Sequence, residues 1–284
     1  TVRSTVHYRI GFVDFVWGRD NFNFGNNASY ESRIGDYSQV LTEWLEDRFG
    51  ASSPVETVLL VDYMYGLFGN NAGRCYSFTG SQLQYRRNPE LLPNYYDDVY
   101  DIRERSTRFQ RQMYFRQMDM VFDHFVKGGI QPFGEQSREN LAREVATIVR
   151  RIEAGSPVVT GYTSPKLHHS MLVYGFISAL GRDSVDLIVA NNWKSDQDQN
   201  IRSVDAEMVR VFLAPDHDGP RIEWRSQDGV RDRQPDRLFV VDVTDEYQHS
   251  REPLDRLLED KVASVCGADA RVLVVENAEE TWLE

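Results

Sequence analysis

Cys75 lies in the stretch Asn70-Asn71-Ala72-Gly73-Arg74-Cys75-Tyr76-Ser77-Phe78, a glycine-bearing turn that runs straight into a helical pattern. It is one of two cysteines in 284 residues. At a helix N-terminus a thiol meets the positive end of the helix dipole and backbone N–H groups that lack intrahelical partners. Both favour the thiolate, which is the nucleophilic form. The same N–H groups suit an oxyanion formed when sulfur attacks a carbonyl. Two further stretches supply what such a nucleophile needs. Lys166-Leu167-His168-His169-Ser170-Met171-Leu172-Val173-Tyr174-Gly175 puts two histidines at the start of an apolar run. Leu187-Ile188-Val189-Ala190-Asn191-Asn192-Trp193 puts two asparagines at the end of the next one. Nucleophile, base and orienter are the three parts of covalent acyl transfer. Adjacent residues of a strand point to opposite faces, so only one histidine can serve Cys75.

A cysteine opening a helix, then His-Ser-Met-Leu-Val-Tyr-Gly opening a strand, then Asn-Asn-Trp closing one, resembles the papain-like cysteine peptidases. Gly155-Ser156-Pro157-Val158-Val159 ahead of His169 is most similar to the bacterial branch related to the double-glycine leader (bacteriocin-processing) peptidases. The likeness spans roughly residues 55 to 195. It implies Cys75 as nucleophile, His169 as general base and acid, and Asn191 as the group that orients the imidazole. It also implies Trp193 as the tryptophan that shields the His–Asn hydrogen bond. Papain carries a glutamine shortly before its cysteine as an oxyanion donor, and this chain has none between Tyr63 and Cys75. Asn71 or Asn70 stands in as the candidate amide. The implied activity is hydrolysis of a peptide bond through an acyl-enzyme, with no cofactor. The same triad serves an acyl transferase or cross-linking enzyme when an amine replaces water. The missing glutamine and the acidic C-terminal part also fit an interaction protein on the same scaffold.

Composition narrows the surroundings. The chain is 41% hydrophobic and 12% aromatic, enough for a full core, and no apolar run has the length of a membrane span. Its net charge of −12 argues against non-specific nucleic-acid binding. It favours basic over acidic partners, such as an extended basic peptide or a protein met through the C-terminal region. The N-terminal residues Thr1-Val2-Arg3-Ser4-Thr5 show no signal-peptide pattern, and the compartment is not legible. Two cysteines do not make a disulfide framework, and Cys266 reads as a buried residue before a strand. Asp196, Asp198 and Asn200 with Glu207 at the twelfth position copy part of a calcium loop, but Ile201 occupies the glycine position. Asp216-His217-Asp218 reads as a solvated turn, so no metal is expected.

The elements that must position the triad follow from periodicity. Residues 2 to 17 read as a strand pair or one long strand, 37 to 49 as a helix, and 55 to 65 as a strand or, after Pro54, a helix. The nucleophile helix runs from Cys75 to Arg87, with Gln84 and both arginines outward, and Asn88-Pro89 stops it. The Tyr-rich stretch 88 to 105 reads equally as a cleft wall beside the nucleophile or as a packed connector. Helices follow at 106–126 and 137–154, then strands at 157–162, 169–178 and 184–190. Beyond these come β-like runs at 209–213, 221–224, 238–243 and 271–275, and a short helix at 253–261. The expected fold is α+β and papain-like: a helical N-terminal half with the nucleophile helix packed on an antiparallel sheet. It is divided into a peptidase domain at 1–214 and an α/β, β-rich extension at 215–284.

Overall fold

In the computed structural model the described residues are 7–25, 37–50, 52–68, 74–92, 96–102, 107–129, 134–164, 167–179, 183–192, 207–214, 221–226, 229–230 and 235–266. They form an α+β fold in which helices pack on one curled antiparallel sheet. The helices are α1 (Tyr37–Phe49), α2 (Pro54–Phe68), α3 (Cys75–Arg87), α4 (Thr107–Val121, continued by a π turn Phe122–Lys127), α5 (Arg138–Glu153) and α6 (Arg251–Cys266). The strands are β1 (Tyr8–Phe12), β2 (Val158–Ser164), β3 (Leu167–Ala179), β4 (Ser184–Ala190), β5 (Glu207–Phe212), β6 (Ile222–Ser226), β7 (Gly229–Val230) and β8 (Arg237–Val241).

Local chemistry explains most boundaries. In α1 the buried residues Val40, Leu41, Trp44 and Leu45 recur on one face, and Gly50 at φ 78° ends the helix. In α5 the stripe Leu141, Val145, Ile148 and Ile152 is buried. The Ser137 hydroxyl caps that helix by accepting from the Asn140 N–H at 3.2 Å. Of the expected strand over 2–17, residues 2–6 lie outside the described residues, and β1 ends at Phe12, after which the Val13 N–H bonds the Tyr174 carbonyl. The last helix is longer than expected and includes Cys266, and the expected strand over 271–275 lies outside the described residues.

The sheet runs β7-β6-β5-β4-β3-β2-β8, with β1 added to β3 off that path. β3 is its spine. The first half of β3 pairs with β2, from Ser164 opposite Leu167 to Val158 opposite Val173. Its second half pairs with β4 and β1. The β4 pairing ends at Leu172 opposite Ala190, so residues 167–171 project past the end of β4. Residues after 215 add β6 and β7 at one edge of the sheet and β8 at the other, against β2. The segment after β8 crosses to the helices. Gln84 Nε2 donates to the Thr244 carbonyl and Arg87 Nη1 to the Val243 carbonyl.

α3 is the central helix. Every residue from Cys75 to Tyr85 is buried, so it has no solvent face for most of its length. Gln84, expected outside, is inside and bonded to the crossing segment. α4 and the sheet strands β2 and β3 pack around α3.

Candidate active site

The N-terminus of α3 sits against the part of β3 that projects past β4. Arg74 precedes the helix without a side-chain cap. The N–H groups of Cys75 and Tyr76 are therefore available to the Cys75 sulfur, and the Ser170 N–H on β3 joins them. The next amide, Ser77, is taken by Gln117 Oε1 at 3.0 Å. Cys75 is a free thiol and only 2% exposed. Burial pushes its pKa up to about 12, and the three N–H groups pull it down by less. The helix-terminus argument for a thiolate is thus overruled in this arrangement. Removing a full charge from water costs more than three dipoles return.

His169 is fully buried on β3, and its Nε2 lies 2.9 Å from Asn191 Oδ1. Asn191 follows the last residue of β4 and is turned by its other end: Nδ2 donates to Glu207 Oε2 at 2.7 Å. The Trp224 indole N–H donates to the same oxygen at 3.0 Å. Trp224 also stacks on the His169 ring, with centroids 5.7 Å apart and planes 13° from parallel. Strand register explains the gathering. Val173 faces Val189, Val189 faces Glu207, and Val209 faces Trp224. Alternation along each strand then puts His169, Asn191, Glu207 and Trp224 on one face.

The neighbouring asparagine has a different task. Asn192 Nδ2 donates to the Cys75 carbonyl at 3.0 Å and to the Ser170 carbonyl at 3.2 Å. It clips the first turn of α3 to β3. A second clip is the 2.8 Å hydrogen bond between the Thr79 and Ser170 hydroxyls. Cys75 is therefore fixed beside Ser170, whose side chain shares the α3 face of β3 with His168, while His169 points to the other face.

His168 points the other way, as strand parity requires, and is half-buried. It packs against Tyr76 and Phe125, and the Tyr76 hydroxyl lies 2.8 Å from its Nε2. Burial pushes its pKa down to about 3, with His169 and His124 adding to the effect. His124 is stacked on Phe239 close by, and burial lowers it to about 4.

Asn70, Asn71 and Trp193 lie outside the described residues, as do Asp196, Asp198, Asn200 and the Asp216–Asp218 turn. Glu207, offered by sequence as a calcium-loop ligand, instead serves Asn191. Trp224 was missed as a site residue; it covers the imidazole in the manner expected of Trp193. Among the described residues no group of three or more His, Cys, Asp or Glu is placed to hold a metal ion. Among them, too, no helix is long and apolar enough to cross a membrane. The Tyr-rich stretch packs Val99 and Ile102 into a second apolar cluster with Phe22, Phe78 and Phe109. It also helps line a cleft of about 320 Å³ with Arg19, Asp20, Tyr85 and Arg86. That cleft is at the far end of α3, ten residues or about 15 Å of helix from Cys75. Against protein-family models, curated proteins and solved structures, the chain gives no match.

Proposed function

We propose that this chain is a papain-like thiol hydrolase acting on a peptide bond, held closed in the arrangement described. The observation that supports the reading is the buried His169–Asn191 hydrogen bond, on the same strand whose Ser170 is bonded to the first turns of α3. Cys75 Sγ attacks the carbonyl carbon, and its proton passes to His169. Asn191 keeps the imidazole in register. The Cys75 N–H, at the head of α3, meets the oxyanion. His169 then gives its proton to the leaving amine, and water releases the acyl group. An amine in place of water would make the same site a transferase, and product analysis with an added amine separates the two outcomes.

Closure is part of this reading. With Cys75 2% exposed and His169 at 0%, a substrate carbonyl reaches neither until the site opens. Opening restores water to the thiol and removes the cause of its high pKa. The same burial favours a second reading, a scaffold that binds a partner and leaves Cys75 unused.

The alkylation rate of Cys75 against pH, followed by mass spectrometry with Cys266 as internal control, tests the pair. The hydrolase reading expects labelling below the free-thiol range of about 8.5, slowed at least tenfold by His169→Ala. Labelling that follows a raised thiol pKa and ignores His169 supports the binding scaffold instead.

A further inference from the structure

Glu207 opens β5 and is 5% exposed. One oxygen of its carboxylate, Oε2, receives both the Asn191 amide and the Trp224 indole. An indole N–H can only donate, so that oxygen must accept. The Asn191 side chain has a donor end and an acceptor end. With the donor end held at Glu207, the acceptor Oδ1 faces His169 Nε2, and that nitrogen must carry the hydrogen. A neutral imidazole carries one N–H, so the lone pair is left on Nδ1.

We propose that Glu207 is a positioning residue: acting through Asn191, it fixes His169 as the Nε2–H tautomer and makes Nδ1 the nitrogen that takes the Cys75 proton. The second half of this statement rests on the thiol-hydrolase reading; the tautomer does not. Asn191 alone could turn over and offer its NH2 to His169, which would reverse the tautomer. Glu207 forbids that turn, because its oxygen would then face Oδ1. Trp224 in turn holds Glu207, from the same plane in which it covers the ring.

The test is 15N NMR of the full chain with labelled histidine, where protonated and unprotonated ring nitrogens have distinct shifts. The His169 signals are assigned by their loss in His169→Gln. The native chain should show His169 as Nε2–H. Glu207→Ala should replace that single form with a mixture. Glu207→Gln should keep it, because Trp224 needs an acceptor and so holds the new amide oxygen in place. If Glu207→Ala does not fold, Glu207→Gln combined with Trp224→Phe takes its place; with the indole donor gone the amide is free to turn, and the mixture should appear. A native Nδ1–H form overturns the assignment. So does a tautomer indifferent to Glu207→Ala or to the double variant, or one lost in Glu207→Gln alone. The two readings fail separately. Tautomer changes as expected with no His169-dependent labelling of Cys75 would remove the hydrolase and leave Glu207 its role. An unmoved tautomer with His169-dependent labelling would do the reverse.

Discussion

His168 and His169 are consecutive residues of one strand, yet the two faces of β3 treat them in opposite ways. His169 faces a chain of polar groups, Asn191, Glu207 and Trp224, that tells each ring nitrogen what to do. His168 faces aromatic rings and one tyrosine hydroxyl, and burial keeps it neutral down to about pH 3. One is fully buried and the other half-buried, and residue type alone would not separate them. The difference lies in what each surface can accept. The His169 face offers a carboxylate two hydrogen bonds away, which an imidazolium can feel. On the His168 face the described partners are aromatic rings, the Tyr76 phenol and the Leu67 carbonyl. One face holds a chain of hydrogen-bonded polar groups and the other packs α3 against the sheet.

The largest effect that sharpens this contrast comes from Gly161 on β2. A methyl group there would stand 2.1 Å from the Phe239 ring and 2.8 Å from the Tyr76 hydroxyl, on the packing face. Ring and backbone have no room to separate, because Gly161 pairs with both Ser170 and Phe239. Gly161→Ala should cost about 3 kcal/mol of unfolding free energy in urea, while the His169 tautomer stays as in the native chain. Loss of the tautomer in a still-folded Gly161→Ala chain would mean that the two faces are coupled.

The elements were largely legible in the sequence because their signals are local. Ser137 before a helical stripe, Gly50 after one, and Asn88-Pro89 at the end of α3 each act within a few residues. The His169 and Asn191 positions were legible through short motifs for the same reason. Glu207 and Trp224 were not, since they reach the site through strand register, 16 and 33 residues after Asn191, and no spacing rule links them to it. The thiolate expectation failed on the same ground. A helix terminus is a local feature, but Cys75 is buried in a core built largely from residues far along the chain. Gln84 was misplaced because an outward position on a helical wheel assumes a solvent side, and α3 has almost none.

Acid should break the comparison from the packing side. His168 and His124 have folded pKa values pushed below the ordinary 6.5, to about 3 and about 4. Unfolding returns both toward 6.5, so the unfolded chain binds more protons between pH 6.5 and 4. Stability therefore falls as pH drops through that window. By about pH 5.5 the loss should be on the order of 1 kcal/mol for each histidine. Asp242 and Asp123 oppose the effect at His124, and the Leu67 carbonyl opposes it at His168. Asp119, held below the usual carboxylate range by Arg48, His249 and Trp44, adds its own loss only under about pH 3.8. Urea titrations at pH 7 and 5.5 should differ less in His124→Phe/His168→Phe than in the native chain. An equal pH response in both would place the acid-sensitive groups elsewhere.

The smallest expected change is at Tyr76, next to Cys75 in sequence. Its hydroxyl meets His168 Nε2 at 2.8 Å inside an apolar surround. The phenol ionises only well above its ordinary range because of its burial, so it serves as a neutral partner across the range that the fold withstands. Tyr76→Phe keeps the ring contact with Phe125 and removes one neutral hydrogen bond, leaving a buried nitrogen without that partner. A loss of about 1 kcal/mol in urea unfolding is expected. The labelling of Cys75 should keep its native pH profile, because the phenol acts on His168 and stays un-ionised across the range that the fold withstands. A shifted profile would show that the helix turn carrying Cys75 and Tyr76 transmits the packing of one face to the chemistry of the other.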